Sequence, residues 1–450
     1  MATTIDDTLK SVCEKFNIEK LNDFQQESKD NLLLQRDVFL SVRTGGGKSL
    51  VYEAFQYICE CREKEHCQVL IVTPLISIMK EQCDFLNSLG FCATYIGRDK
   101  KEDDEILEGI HDFLFTSPES LLGVAKWRDM LLQNSRIRLI VVDEAHIVLH
   151  WGEVDGDQQS TPFREWFGKL GEVRSLVQCP LLLITATASK ASRLKMQKIF
   201  CMKNCFEKIE SPDRTNIKLF LHKFKSSQDL TKIFAFMINE LLEKKEKCDR
   251  YLVFCTSIKS CSDIYTMLHL ELESDIQFVQ MYHSMTVENV KEDIKQDLGN
   301  KDGKIRVLVA TSAAGMGVNF KDIGQVIIFG VPKNMDSFVQ QFGRGGRDRS
   351  HAMAILLFNG QQCRGIDNDM SEYIINKETC RRKVILKAYN TTVNDSILAH
   401  LCCDICDKKC TCDREDCSSY THPFFEMCDL PESESSNSDS DCESDDIMSN

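Results

Sequence analysis

The sequence predicts an α/β protein with two parallel sheets in tandem, and three observations lead there. Short apolar runs alternate with longer helical stretches through most of the 450 residues. A glycine-rich turn follows the first of those runs, and the whole alternation starts again near residue 250. Apolar runs that do not alternate with polar residues belong to strands buried on both faces, which is the situation of a parallel sheet covered by helices.

In chain order, residues 1 to about 36 read as amphipathic helix, with Leu9, Val12, Phe16, Ile18, Leu21 and Phe24 as its apolar side. Strands are expected at 37–42, 69–73, 113–116, 139–142 and 181–185, with helices opening at Lys48 and Leu75. Residues 211–223 read as a short connector ending in a strand, so the first domain is placed at 1–225. The second alternation has strands at 251–255, 278–282, 305–311, 326–329 and 354–358, and its domain is placed at 226–362. Polar, Cys-rich helices at 363–420 form a third, small unit. Residues 421–450 are dominated towards their end by Ser, Asp and Glu, with little to bury, and are expected to be a disordered acidic tail.

Composition narrows the class. Hydrophobic residues make up 42% of the chain, enough for two or three cored domains. No run of eighteen apolar residues occurs, and charged residues interrupt the first twenty, so neither a membrane span nor a secretory leader is expected. Without such a leader the 22 cysteines read as thiols or metal ligands, not as a disulfide framework. Ten of them fall between Cys363 and Cys442, where a metal has to be considered. The formal charge is −14, but the last 25 residues hold nine acids and no Lys or Arg, leaving −5 for the rest. A local cationic channel for nucleic acid is therefore neither excluded nor indicated by net charge.

Chemistry concentrates in a few strings. Thr44-Gly45-Gly46-Gly47-Lys48-Ser49 follows an apolar strand, and its backbone N–H groups can converge on phosphate oxygens. Lys48 would neutralise phosphate charge and the Ser49 hydroxyl would reach Mg²⁺. Val42 stands where the strict phosphate-loop pattern has its first glycine. About a hundred residues on, Asp143-Glu144-Ala145-His146 closes another buried strand. Asp143 can hold a metal ion there and Glu144 can orient an attacking water. Thr185-Ala186-Thr187 ends the next strand with hydroxyls able to sense those carboxylates. In the second domain, residues 340–348 present Arg344 and Arg347 three apart, expected on one helical face and suited to a γ-phosphate.

Together these strings resemble the RecQ family of superfamily 2 DNA helicases, over roughly residues 10 to 410. The likeness is carried by Phe24-Gln25, residues 44–49, 73–82, 116–119, 142–146, 150–152, 185–188, 282–283, 309–317 and 340–348, and by Cys380-Arg381-Arg382 with Cys403 and Cys406. The resemblance implies two RecA-like domains and a helical zinc-binding subdomain. It assigns adenine reading to Gln25, phosphate and Mg²⁺ binding to Thr44 through Ser49, and metal and water to Asp143 and Glu144. Arg344 and Arg347 take the arginine-finger role. It further implies ATP hydrolysis coupled to 3′-to-5′ movement on single-stranded DNA, with tailed or branched DNA as substrate, in repair, recombination or replication in the nucleus. Protein partners for the acidic tail stay open.

For zinc, the resemblance offers Cys380, Cys403 and Cys406, and soft thiolates suit Zn²⁺. The fourth ligand is open between His400, which keeps a three-residue step and is preferred, and Cys402; Cys410, Cys412 and Cys417 stay unassigned. The sequence also departs from the family pattern. Trp151-Gly152 and Phe163-Arg164, expected to contact DNA through Trp151, Phe163 and Arg164, are separated by ten residues where the family has two. Arg43 replaces a proline, Ile18 replaces an aromatic expected to stack on adenine, and no winged-helix segment is expected. A DNA-binding scaffold with a weak or degenerate ATPase is the alternative these departures leave.

Overall fold

The computed structural model describes residues 5–43, 45–151, 165–311, 320–347, 349–392 and 399–412. The chain divides into two compact units, Met1–Pro212 and Asp213–Asn450.

The first unit is built on a seven-stranded sheet. Its strands are β1 (Val38–Ser41), β2 (Gln68–Val72), β3 (Ala93–Tyr95), β4 (Phe113–Thr116), β5 (Ile137–Val142), β6 (Leu181–Thr185) and β7 (Phe206–Ile209). Their order is β3-β4-β2-β5-β6-β1-β7 and every pairing is parallel. Every residue of β1, β2, β4 and β6 is buried, as the uninterrupted apolar runs predict. Each fully buried Val, Leu or Ile there contributes about 1.5–3 kcal/mol relative to exposure. At the N-terminus the expected amphipathic region forms two helices, Ile5–Lys15 and Asp23–Leu33, with Val12 and Phe24 buried.

Because all seven strands run the same way, the loops that follow β1, β5 and β6 open on one edge of the sheet, and these three strands include two neighbouring pairs, β5·β6 and β6·β1. That places the phosphate loop, the Asp143-Glu144 string and Thr185 side by side. Ligands in open α/β sheets bind at this carboxyl edge.

The second unit has six parallel strands: β8 (Ile217–Lys223), β9 (Arg250–Cys255), β10 (Val279–Tyr282), β11 (Val307–Ala310), β12 (Ile323–Phe329) and β13 (Ala352–Phe358). Their order is β10-β11-β9-β12-β13-β8. The strand at 217–223 was expected to end the first domain, yet it pairs with β13 from Ala352↔Ile217 to Phe358↔Lys223. The division therefore falls after Pro212 and not at 225, because backbone pairing decides to which sheet a strand belongs. The Cys-rich helices pack on this unit: Cys380, Cys402, Cys403, Cys406, Tyr373 and Tyr389 join the same apolar cluster as Leu219 and Phe338.

One buried acid gives the first unit a pH signature. Glu53, on the helix Leu50–Glu63, is 4% exposed, and burial pushes its carboxyl up from 4.5 to about 7. The folded chain thus keeps a proton that the unfolded chain releases, so this group lowers stability as pH rises from about 4.5 to about 7. Glu53→Gln is expected to be more stable than wild type at about pH 8, by up to about 3 kcal/mol, and equal to it only below the unfolded value, at about pH 3.5. Urea midpoints of both proteins at the two pH values check this.

Candidate nucleotide and metal sites

The phosphate loop hangs between β1 and the helix Leu50–Glu63. Gly47 has φ +77, which strains any residue with a side chain, and a Cβ there would sit 2.8 Å from Gln25 Nε2 and displace that amide. The Lys48 ammonium donates to Val42 O at 2.9 Å and Arg43 O at 3.4 Å. Ser49 is the N-cap of the helix, which begins at Leu50, two residues later than predicted, and its hydroxyl is hydrogen-bonded to the buried Tyr52. Thr44 lies outside the described residues.

Gln25 is 5% exposed and hydrogen-bonded within its own unit. Its Oε1 accepts from Asn22 N at 2.9 Å, closing a capping box with Asn22, and its Nε2 donates to Gly47 O at 2.9 Å. The glutamine expected to read adenine therefore also ties a helix N-terminus to the phosphate loop.

Asp143 and Glu144 leave the end of β5. Asp143 N donates to Val72 O at 2.9 Å, and Glu144 N donates to Asp143 Oδ1 at 3.0 Å. Desolvation raises the Asp143 pKa, the neighbouring Glu144 adds to the rise, and Lys48 opposes it. The Lys48 charge thus acts on Asp143 although the two lie 95 positions apart in sequence. A carboxylate destabilised by its surroundings and by a second carboxylate is a place where a divalent cation gains most, and with the Ser49 hydroxyl the donor set fits Mg²⁺.

His146 was part of the string but carried no assigned role. It is buried, with Nδ1 at 3.1 Å from Thr185 Oγ1 and 3.3 Å from Glu144 Oε2. Thr185 Oγ1 in turn donates to Thr187 O at 2.9 Å. One imidazole thus joins the carboxylate beside Asp143 to the hydroxyl on the neighbouring strand. The adjacency of β5 and β6, which sequence alone does not give, is what makes His146 legible. Glu144 itself sits at φ +50, an uncommon conformation for a residue with a side chain.

Of the residues expected to touch DNA, Phe163 and Arg164 lie outside the described residues, as does the side chain of Trp151, which ends the helix Ile147–Trp151. Trp166, on the helix Glu165–Gly168, has its ring against Gly123, where an added Cβ would lie 3.3 Å away, and Lys169 Nζ stands 4.5 Å over it.

In the second unit the helix Met335–Phe342 stops before the two arginines. Arg344 and Arg347 lie on a turn, not on the helical face expected of them. Gly343, Gly345 and Gly346 break the helix there, and Gly346 at φ +51 has Asn216 Nδ2 only 2.4 Å from where a Cβ would be. Arg214 holds the turn from beneath, donating to Gly343 O (3.1 Å), Gly345 O (3.1 Å) and Gly346 O (2.7 Å), and Asn216 Nδ2 adds a bond to Gly346 O at 2.9 Å. Desolvation and then the Arg214 charge lower the Arg347 pKa from its ordinary value.

The Cys-rich module attaches beneath that turn. Its helix Arg381–Tyr389 follows Cys380, and Cys403 forms an isolated parallel bridge with Leu219 of β8. Arg382 bonds Asp213, donates to Arg214 O at 3.0 Å and Ile217 O at 2.7 Å, and reaches the Cys402 sulfur. Burial acts to lower its pKa, and the Asp213 carboxylate and Cys402 together outweigh it.

Four sulfurs converge: Cys380, Cys402, Cys403 and Cys406 lie within 4.8 Å of one another. Cys380 Sγ is 3.5 Å from Cys402 Sγ and 4.0 Å from Cys403 Sγ. A tetrahedral Zn²⁺ with Zn–S of about 2.3 Å needs S–S edges of about 3.8 Å, so the donors fit the ion. Hydrogen bonds from the Cys402 and Cys403 thiols lower the Cys380 pKa, favouring the thiolate a metal requires. His400, the preferred fourth ligand in the sequence reading, is not in this group, and Cys402 takes its place. His400 and Cys402 are two apart on the helix Ala399–Cys402, which turns them about 200° away from each other.

With this geometry in place the chain can be compared with known proteins. Residues 22–194 match the DEAD/DEAH box helicase family and residues 232–349 the helicase conserved C-terminal domain. Solved structures agree on the fold. The helicase MrfA bound to DNA aligns with TM-score 0.57 at 15% identity, covering 83% of this chain and 53% of that one. Saccharomyces cerevisiae Dbp5 bound to RNA and ADP BeF3 aligns with TM-score 0.54 at 16% identity, covering 86% and 100%. The two units are thus the paired RecA-like domains of a DEAD/DEAH-type helicase core.

Among curated proteins, the chain is 26% identical over 442 residues to the ATP-dependent DNA helicase hus2/rqh1 of Schizosaccharomyces pombe, covering 90% of this chain and 31% of that protein. It is 28% identical over 428 residues to ATP-dependent DNA helicase RecQ of Haemophilus influenzae, covering 88% and 62%. It is 30% identical over 339 residues to the probable ATP-dependent DNA helicase RecS of Bacillus subtilis, covering 74% and 63%. The chain belongs to the RecQ family of helicases. It spans between 28% and 65% of the length of such relatives.

The module's attachment can be tested through Arg382. Asp213 and Arg382 have side chains 9% and 3% exposed, and removing one partner of a buried pair typically costs about 3–5 kcal/mol. Arg382→Ala is expected to lower the stability of the second unit by that amount, whereas exposed Lys387→Ala is expected to cost less than about 1 kcal/mol. Urea unfolding followed by circular dichroism measures both.

Proposed function

We propose that the chain is an ATP-dependent 3′-to-5′ DNA helicase or translocase of RecQ type. The observation that carries this reading is the convergence, at one edge of the first sheet, of a phosphate loop with Lys48, a desolvated Asp143-Glu144 pair and the His146 link to Thr185, in a chain of this family. The relatives' names supply DNA as the polymer, and the family resemblance supplies the direction of travel.

In this reading Gly45, Gly46, Gly47 and Thr44 cradle the triphosphate and Lys48 exchanges its carbonyl partners for phosphate oxygens. Gln25 offers its remaining amide hydrogen to adenine. Ser49 and Asp143 hold Mg²⁺, which when bound offsets phosphate charge. Glu144 orients water, kept in place by His146. Arg344 and Arg347 supply guanidinium charge for the oxygens that become more negative as the bond breaks, an interaction worth about 10³ to 10⁵ in rate in related systems. Trp151, Phe163 and Arg164 contact single-stranded DNA, the rings by stacking.

The Cys380, Cys402, Cys403 and Cys406 thiolates hold a structural Zn²⁺. Single-stranded, tailed and branched DNA are the substrates, and repair, recombination or replication in the nucleus is the setting. No helix among the described residues is long and apolar enough to cross a membrane.

ATP turnover with and without single-stranded DNA tests the reading, with unwinding of duplexes tailed at either end to fix polarity. Wild type is expected to show DNA-stimulated hydrolysis, and Lys48→Ala and Glu144→Gln to lose at least about 100-fold of it with the fold intact. DNA binding without stimulated hydrolysis in wild type would point to the scaffold reading instead.

A further inference from the structure

A second cluster of metal-type donors remains after the four sulfurs are assigned. His400, Cys410 and Cys412 bring their ligand atoms within 4.8 Å of one another. His400 is 2% exposed. Its Nδ1 stands 3.1 Å from Cys412 Sγ and 3.6 Å from Cys410 Sγ, and the two sulfurs are 3.3 Å apart. A tetrahedral zinc centre needs N–S and S–S edges of about 3.6 and 3.8 Å, so movements of a few tenths of an ångström would seat an ion. The sulfurs are well beyond the roughly 2.05 Å of a disulfide.

We propose that His400, Cys410 and Cys412 form a second zinc site, separate from the four-thiolate site. One imidazole nitrogen and two thiolates are a borderline-soft set that selects Zn²⁺ over Mg²⁺ or Ca²⁺. Among the described residues the group holds three donors, leaving a fourth position for water or another donor.

The backbone brings the donors together. The helix Asp404–Asp407 is followed by bonds from Lys409 N to Cys406 O at 3.1 Å and from Cys410 N to Asp407 O at 3.0 Å. This turn carries Cys410 and Cys412 back beside His400. The two ligand sets interleave in sequence: His400 belongs to the second, Cys402, Cys403 and Cys406 to the first, Cys410 and Cys412 to the second again. Binding at the second site would therefore fasten residues 408–412 across the helix that supplies Cys402. The proposal does not depend on helicase activity.

The test is metal content of the purified full-length chain after passage over a chelating resin. About two zinc ions per chain are expected in wild type and about one in Cys410→Ser/Cys412→Ser and in His400→Ala. One zinc in wild type, or two retained in the double variant, would overturn the proposal. A measurement on wild type alone covers the case in which a variant does not fold. In the zinc-loaded chain, Cys410 and Cys412 should react with iodoacetamide much more slowly than the exposed Cys61, Cys92 and Cys201. They should then catch up when a strong chelator is added. Alkylation as fast as those exposed thiols before chelation would equally overturn it.

Discussion

The second unit depends on one buried guanidinium. Arg382 touches the sulfur of Cys402, the Asp213 carboxylate and the carbonyls of Arg214 and Ile217. Arg214, fixed through its carbonyl and neighbour, spends its own guanidinium on three carbonyls of the turn that bears Arg344 and Arg347. A continuous set of polar contacts thus runs from the sulfur cluster to the turn. Four thiolates around a divalent cation would carry net negative charge, and Arg382 beside them, with Arg381 on Asp404 at 2.5 Å, offsets it. The module is accordingly more than an appendage. Its sulfurs and the turn share a support, and the glycine-rich turn that follows the helix end is held by donors from elsewhere.

The first unit solves a different problem, that of keeping charged groups together without letting them pair too well. Lys48 lowers the Asp143 pKa but donates its hydrogen bonds to the neutral carbonyls of Val42 and Arg43, so its charge acts on the carboxylate while its hydrogens are held elsewhere. An anionic ligand would then meet an ammonium whose present partners are uncharged and readily given up. Meanwhile Gln25 steadies the loop through the carbonyl of Gly47, a residue whose positive φ favours glycine.

Much of this was legible in the sequence, for identifiable reasons. Buried parallel strands announce themselves as unbroken apolar runs, and the observed strands fall on them within a few residues, β3 and β7 excepted because their composition is mixed. The glycine-rich string at 44–49 stands out because phosphate chemistry would restrict such a loop tightly. What stayed hidden depended on tertiary pairing. The run at 217–223 is apolar whichever sheet it joins, and only its register with β13 assigns it. The spacing of Arg344 and Arg347 suggests a helix face, but Asn216 and Arg214, about 130 residues earlier, stabilise a turn.

The sulfur cluster shows the same limit at finer scale, and shows why regular spacing misleads. A three-residue step from His400 through Cys403 to Cys406 assumes one continuous helix. The backbone breaks instead at Cys403, which is extended at φ −162 and ψ 169 and serves as N-cap of the next helix. At such a break adjacent residues need not point apart, so Cys402 and Cys403 both reach Cys380 while His400, on the far side of its short helix, faces Cys410 and Cys412. Which sulfurs gather in this module is therefore set by where a helix stops. A residue that restored the helix across position 403 would move one sulfur out of the first group whatever its own chemistry.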